Sequence, residues 1–65
     1  MFGKKVKLIQ VGRGISFVQD SKGKIDAVPN PLLNGAKIEG GDFLKIELPV
    51  IEGGIMIQYV EINKN

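Results

Sequence analysis

The sequence contains no cysteine, histidine, tryptophan or threonine, and its only serines are Ser16 and Ser21. Because there is no cysteine, no disulfide can form within the chain, and without histidine or cysteine a structural zinc site is not expected. The side chains that usually act as bases or thiol nucleophiles near neutral pH are missing too. We therefore expect a protein that is not an enzyme and that uses no cofactor and no small-molecule substrate.

Long apolar runs are also missing. The basic start, Met1–Lys5, is not followed by the apolar segment of a signal peptide, and no run approaches the length of a membrane span. A chain without cysteine suits a reducing compartment. These features predict a cytoplasmic protein without a membrane partner.

The chain has 65 residues, of which 43% are hydrophobic and 25% are charged. This composition is typical of a folded protein rather than a disordered one, and the length allows a single domain over residues 1–65. A domain this short buries only about 60% of the surface that its unfolded chain exposes. Since no disulfide or metal compensates, we expect two copies to associate as a homodimer.

Charge is distributed unevenly along the chain. Residues 1–27 contain six cationic and two anionic side chains, whereas residues 28–65 contain three and five. A basic half of this kind is typical of a surface that binds a polyanion. It can equally be a solvated surface that binds nothing.

Glycine and proline divide the sequence into short segments that alternate polar and apolar residues, which favours strands over helices. We predict a mainly β protein, a small five-stranded barrel, with strands near residues 5–11, 15–19, 24–28, 43–48 and 55–62. A break in the alternation at Leu8-Ile9 predicts a β-bulge. The segment from Asn30, a candidate N-cap, to Gly35 predicts one helical turn over residues 30–34.

The last predicted strand, residues 55–62, is apolar at most positions. It therefore has no wholly polar face, which predicts that it is largely buried, in or beside the dimer interface.

Several short motifs follow one another at regular spacing between residues 20 and 60. Asp20-Ser21-Lys22-Gly23-Lys24-Ile25 is followed by Val28-Pro29 and a short helical segment. Ile38-Glu39-Gly40-Gly41-Asp42, Leu44-Lys45-Ile46 and Glu52-Gly53-Gly54-Ile55-Met56-Ile57 come next. In content and order this series resembles the AbrB/SpoVT-type DNA-binding domains.

The resemblance implies a swapped-hairpin barrel, in which each chain contributes interleaved hairpins to a two-fold dimer that binds duplex DNA as a transcriptional regulator. Residues 1–14 are an additional basic strand outside the family pattern. One residue more than the pattern lies between Gly23 and Pro29, which predicts a bulge at Asp26.

The residues expected to contact DNA are all basic. Lys22 and Lys24 correspond to the basic turn of the family, whereas Lys5, Lys7 and Arg13 are added because of the charge distribution. Lysine dominates this set, so we expect contacts mainly to phosphates, with little reading of bases.

Two alternatives remain open. One is a monomeric OB- or SH3-like barrel that binds single-stranded nucleic acid, which would require Phe2, Tyr59 and the basic strand to share one face. The other is a structural or protein-interaction subunit that binds no nucleic acid, which is favoured if Lys4, Lys5 and Lys7 are scattered over the surface.

Overall fold

The structure is a computed structural model that describes residues 2–35 and 39–62. The described chain is mainly β, as predicted. Its five strands and single 3-10 turn are β1 (Phe2–Gln10), β2 (Ile15–Asp20), β3 (Ile25–Pro29), the 3-10 turn (Asn30–Leu33), β4 (Asp42–Pro49) and β5 (Ile55–Glu61). Ile38, the first residue of one of the quoted motifs, lies outside the described residues.

The strands form one antiparallel sheet in the order β3-β2-β1-β4-β5. The first strand is therefore the centre of the sheet and pairs with β2 on one side and with β4 on the other. The basic segment that the family pattern leaves out is thus an integral part of the sheet rather than an addition to its edge.

Two bulges were predicted from the sequence, and one of them is present. The pairing of β1 with β2 shifts register between Leu8 and Gln10, which confirms the prediction at Leu8-Ile9. The prediction at Asp26 is wrong, because Asp26 pairs with Val18 in an unbroken register along β2 and β3. The additional residue extends the strand instead of bulging from it.

The sheet curls into a half-barrel around one hydrophobic core. The inner face of the sheet supplies most of the core, and Leu33 of the 3-10 turn closes it between β3 and β5. The buried apolar side chains are Val6, Leu8, Val18, Val28, Leu33, Phe43 and Tyr59. Both edges of the sheet therefore pack against the 3-10 turn.

Asn30 was predicted to cap a helix, and this prediction is wrong. The residue lies inside the 3-10 turn, which Pro29 precedes, and no side chain caps the turn. The Asn30 side chain instead accepts a hydrogen bond from Ser16 Oγ at 2.7 Å and donates one to the Gly12 carbonyl at 2.8 Å. Because Ser16 is buried, this pair of bonds joins the β1–β2 loop to the 3-10 turn inside the protein.

The prediction that the last strand is largely buried is wrong for a single chain. In β5 only Tyr59 is buried, and Ile57 is half-buried. The strand is an edge of the sheet, so its apolar side chains on the outer face stay exposed.

Candidate nucleic-acid interface

The turn between β2 and β3 is organised by Asp20. Its Oδ1 accepts hydrogen bonds from the backbone N–H groups of Lys22 and Lys24, each at 2.9 Å. Gly23 takes a φ of +87°, a conformation that glycine adopts readily. As the turn chemistry of an Asp-x-x-Gly sequence predicts, the backbone positions of both lysines are fixed.

Asp20 also attracts a lysine from the central strand, since Lys4 Nζ lies 3.8 Å from its Oδ2. The backbone hydrogen bond from Lys24 is the main cause that lowers the pKa of Asp20, helped by the bond from Lys22 and the charge of Lys4. Desolvation works in the opposite direction. The carboxylate is therefore held ionised where it anchors the turn.

A second aspartate anchors the other two lysines of β1. Lys7 Nζ lies 3.6 Å from Asp42 Oδ1 and Lys5 Nζ lies 3.9 Å from Oδ2. Asp42 Oδ1 is buried and accepts no hydrogen bond from the described residues. The contacts of the Asp42 carboxylate with positive charge are these two lysine ammonium groups. More than half of each lysine side chain remains exposed.

Asp20 and Asp42, with the lysines paired to them, are neighbours. A shallow depression of about 320 Å³ is lined by Lys5, Lys7, Asp20, Ser21 and Asp42. We call this part of the protein the lysine end, and it consists of Lys4, Lys5, Lys7, Lys22 and Lys24 with their two aspartates. Five positive and two negative charges give it a net charge of +3.

Arg13 does not belong to the lysine end. It lies in the loop that precedes β2, whereas Lys22 follows the end of that strand. A six-residue strand is about 20 Å long, so the fold places the guanidinium at the opposite end of the sheet. Of the five residues predicted to contact DNA, the structure brings together Lys5, Lys7, Lys22 and Lys24.

The inner face contains a polar group that the sequence did not reveal. Lys45 Nζ lies 3.7 Å from Asp26 Oδ2, and only 16% of the Lys45 side chain is exposed. The neighbouring Tyr59 is buried, and this burial raises the pKa of its phenol, as do the charges of Asp26 and Glu47. The Tyr59 ring is therefore a core side chain and not a stacking surface.

The aromatic platform that the single-strand alternative requires is not formed by Tyr59. The side chain of Phe2, its other predicted member, lies outside the described residues. Lys4 points to the inner face beside Val6, whereas Lys5 and Lys7 point to the outer face, because side chains alternate along β1. Lys4 pairs with Asp20, whereas Lys5 and Lys7 pair with Asp42, so the three lysines are divided between the two faces of the sheet.

Residues 2–35 and 39–62 contain no group of three or more acidic side chains arranged to hold a metal ion. Nor does this part of the chain include a helix long and apolar enough to cross a membrane.

The fold and the lysine end define a small antiparallel half-barrel with a cationic end. Comparison of the chain with family models, with curated proteins and with solved structures found no match. Membership of the AbrB/SpoVT-type family thus stays a prediction from the motifs.

Proposed function

We propose that this chain is a DNA-binding module that contacts the phosphates of duplex DNA through its lysine end. The observation that carries the proposal is that Asp20 and Asp42, which line one shallow depression, have lysines of β1 and the backbone of the lysine-containing β2–β3 turn around them. Following the family that the motifs resemble, the role we propose is that of a transcriptional regulator.

The chemistry of the lysine end fits phosphate better than base edges. Lysine presents a compact point charge, whereas bidentate recognition of guanine relies on arginine, and Arg13 lies elsewhere. Lysines that replace the counterions on DNA give an affinity that falls steeply with salt. Because phosphate contacts carry no base information, we expect the interaction to be largely independent of the DNA sequence.

Asp20 and Asp42 give the lysine end its shape and also limit its affinity. Asp20 fixes the backbone of the turn, so the main-chain positions of Lys22 and Lys24 are set before DNA arrives. Both carboxylates neutralise part of the positive charge, and lysines that already have an acidic neighbour gain less from a phosphate. We expect about four to six phosphate contacts from two copies of the chain, which corresponds to weak binding.

The proposal is tested by replacing Lys22 and Lys24 with alanine together. Because lysine–phosphate contacts carry no base information, affinity should fall by a similar factor for every duplex, and the slope of log K against log salt should flatten by about 0.9 per lost contact. Fluorescence anisotropy with two unrelated duplexes measures both quantities.

The matched control is Arg13→Ala, which removes one exposed positive charge at the other end of the sheet. Its affinity and salt slope should stay close to those of the unchanged protein. An equal loss of binding free energy per charge removed in the two variants would show that the charge of the whole chain, not the lysine end, attracts DNA. Lys45 is unsuitable as a control because it is paired with Asp26, and Lys64 lies outside the described residues.

A second candidate function is a protein-interaction subunit that binds no nucleic acid. The observation that favours it is the exposed apolar surface of the hairpin formed by β4 and β5, where Met56 and Val60 are each almost half exposed. A protein that fails to bind any duplex at low salt but binds a different protein through this hairpin would have this function.

A further inference from the structure

The outer face of the β4–β5 hairpin is an unusual surface for a small protein. Since Phe43 and Tyr59 point into the core, alternation places their strand neighbours on the outside. We call these residues the outer hairpin face, and they are Leu44, Ile46, Leu48, Met56, Gln58 and Val60. All six are uncharged and five are apolar. Met56, Gln58 and Val60 on β5 are exposed, whereas Leu44, Ile46 and Leu48 on β4 are half-buried. A partly exposed apolar patch of this kind can mark a contact site.

The register of the two strands gives this face a symmetrical pattern. Leu44 lies opposite Val60 and Leu48 lies opposite Met56, while the pair Ile46 and Gln58 occupies the centre. The single polar side chain thus has apolar neighbours along β5 and across on β4, while its other side is the open edge of the sheet. A partner must be equally uncharged and must satisfy one amide at its centre.

A second copy of the same face meets both requirements. Two uncharged faces bring no like charges together. An amide has both a donor and an acceptor, so two Gln58 side chains beside a two-fold axis can bond to each other. We propose that two copies of this chain associate by packing their outer hairpin faces together, with the two-fold axis passing between the Gln58 side chains.

The size of the face indicates how strong the association is. Eight residues of β4 extend for about 27 Å, and two strands with their side chains are about 15 Å wide, so each copy covers about 400 Å². The total of about 800 Å² is smaller than a standard specific interface, which buries about 1,200–2,000 Å², and is typical of weak, transient contacts. We therefore expect a weak, reversible dimer that forms only at high protein concentration. This inference does not rest on the proposed DNA binding, although the two surfaces are adjacent, since Leu44 of the outer hairpin face lies opposite Lys5 in the pairing of β1 with β4.

The test is the substitution Gln58→Glu, followed by sedimentation equilibrium of the full chain. Gln58 is exposed and glutamate has nearly the same shape, so the fold should be kept. Two carboxylates would then face each other across the axis, which should weaken the dimer at least tenfold at pH 7.5. At pH 4, where a carboxyl is largely protonated, the dimer should recover most of its strength.

The matched control is Gln10→Glu, which makes the same change at an exposed position of β1 and should leave the dimer unchanged at both pH values. A second variant, Ile46→Lys, distinguishes face packing from pairing of the two β5 edges. Ile46 lies on β4, away from that edge, so its replacement should abolish the face-packed dimer but spare an edge-paired one. Far-UV circular dichroism confirms that each variant is folded.

Three results would overturn the proposal. The unchanged protein could sediment as a monomer at 500 µM, Gln58→Glu could dimerise as strongly as Gln10→Glu, or a folded Ile46→Lys variant could remain dimeric. The last result would indicate edge pairing through β5 instead.

Discussion

The two halves of the sheet are stabilised differently. In the half formed by β1, β2 and β3, polar side chains hold the loops: Asp20 binds the backbone of one turn, and Asn30 joins another loop to the 3-10 turn. In the β4–β5 hairpin the loop is closed by backbone bonds between Val50 and its neighbours Gly53 and Gly54. The first half presents charge to the solvent and the second presents apolar side chains. One chain thereby separates a polar, preorganised surface from a surface that gains from being covered.

Both halves of the sheet pack on the same core. We therefore expect the largest loss of stability from a substitution in that core. Phe43 of β4 is fully buried in the core, to which every strand and the 3-10 turn contribute a side chain, so Phe43→Ala should lower the free energy of unfolding by about 3–5 kcal/mol. Chemical denaturation measures the change.

Val60→Ala serves as the comparison on the same hairpin. Because this side chain is 44% exposed, the loss should be below about 1 kcal/mol at concentrations where the protein is monomeric. Similar losses for the two variants would contradict the division between an inner core and an outer hairpin face.

We expect a smaller loss of stability when the hydrogen bonds of Asn30 to Ser16 and Gly12 are removed. Asn30→Ala leaves the buried hydroxyl of Ser16 and the Gly12 carbonyl without this partner, which should cost about 1–3 kcal/mol. In a double-mutant cycle, combining Asn30→Ala with Ser16→Ala should cost less than the sum of the single changes, since both remove one interaction. Strictly additive losses would show that the two side chains do not cooperate. Gln10→Ala, an exposed strand position, is the control.

The smallest expected effect is on the pH dependence of stability. The pKa of Asp20 is lowered in the folded protein, so its contribution to stability is present above the ordinary carboxyl pKa and disappears as the pH falls through the lower, folded value. Asp20→Asn should therefore lower the melting temperature at pH 7, and the difference from the unchanged protein should shrink below about pH 4.

Glu52→Gln, in the exposed hairpin loop, is the matched control for this measurement. It removes one carboxylate but no turn anchor, so its melting curve should follow that of the unchanged protein at each pH. A constant difference between Asp20→Asn and the unchanged protein from pH 7 to pH 2 would show that the ionised carboxylate does not stabilise the turn.

The sequence predicted the strands well because their ends are set by local chemistry. Asp20 and Gly23 determine a turn whatever surrounds them, and the interrupted alternation at Leu8 reflects the bulge directly. The order of strands is not local, so the central place of β1 could not be read from the basic character of its residues. The burial of Tyr59 and the pairing of Lys45 with Asp26 follow from the curl of the sheet, which brings strands that are not neighbours close together.

The candidate site was predictable in part. Lys22 and Lys24 were identified by the motif of their turn, and Lys5 and Lys7 by charge alone. Arg13 was included for the same reason, but two consecutive antiparallel strands place their successive turns at opposite ends. Charge counted along the chain could not distinguish the two ends of the sheet, whereas the strand pattern could have done so.

The central claim is that the lysine end binds the phosphates of duplex DNA. Its most direct test is a titration of a labelled duplex with the unchanged protein at 50, 100 and 200 mM salt, followed by fluorescence anisotropy. With about four to six phosphate contacts, affinity should fall by about two to three orders of magnitude over this range. If the protein does not bind the duplex even at 50 mM salt, the lysine end is not a DNA-binding surface.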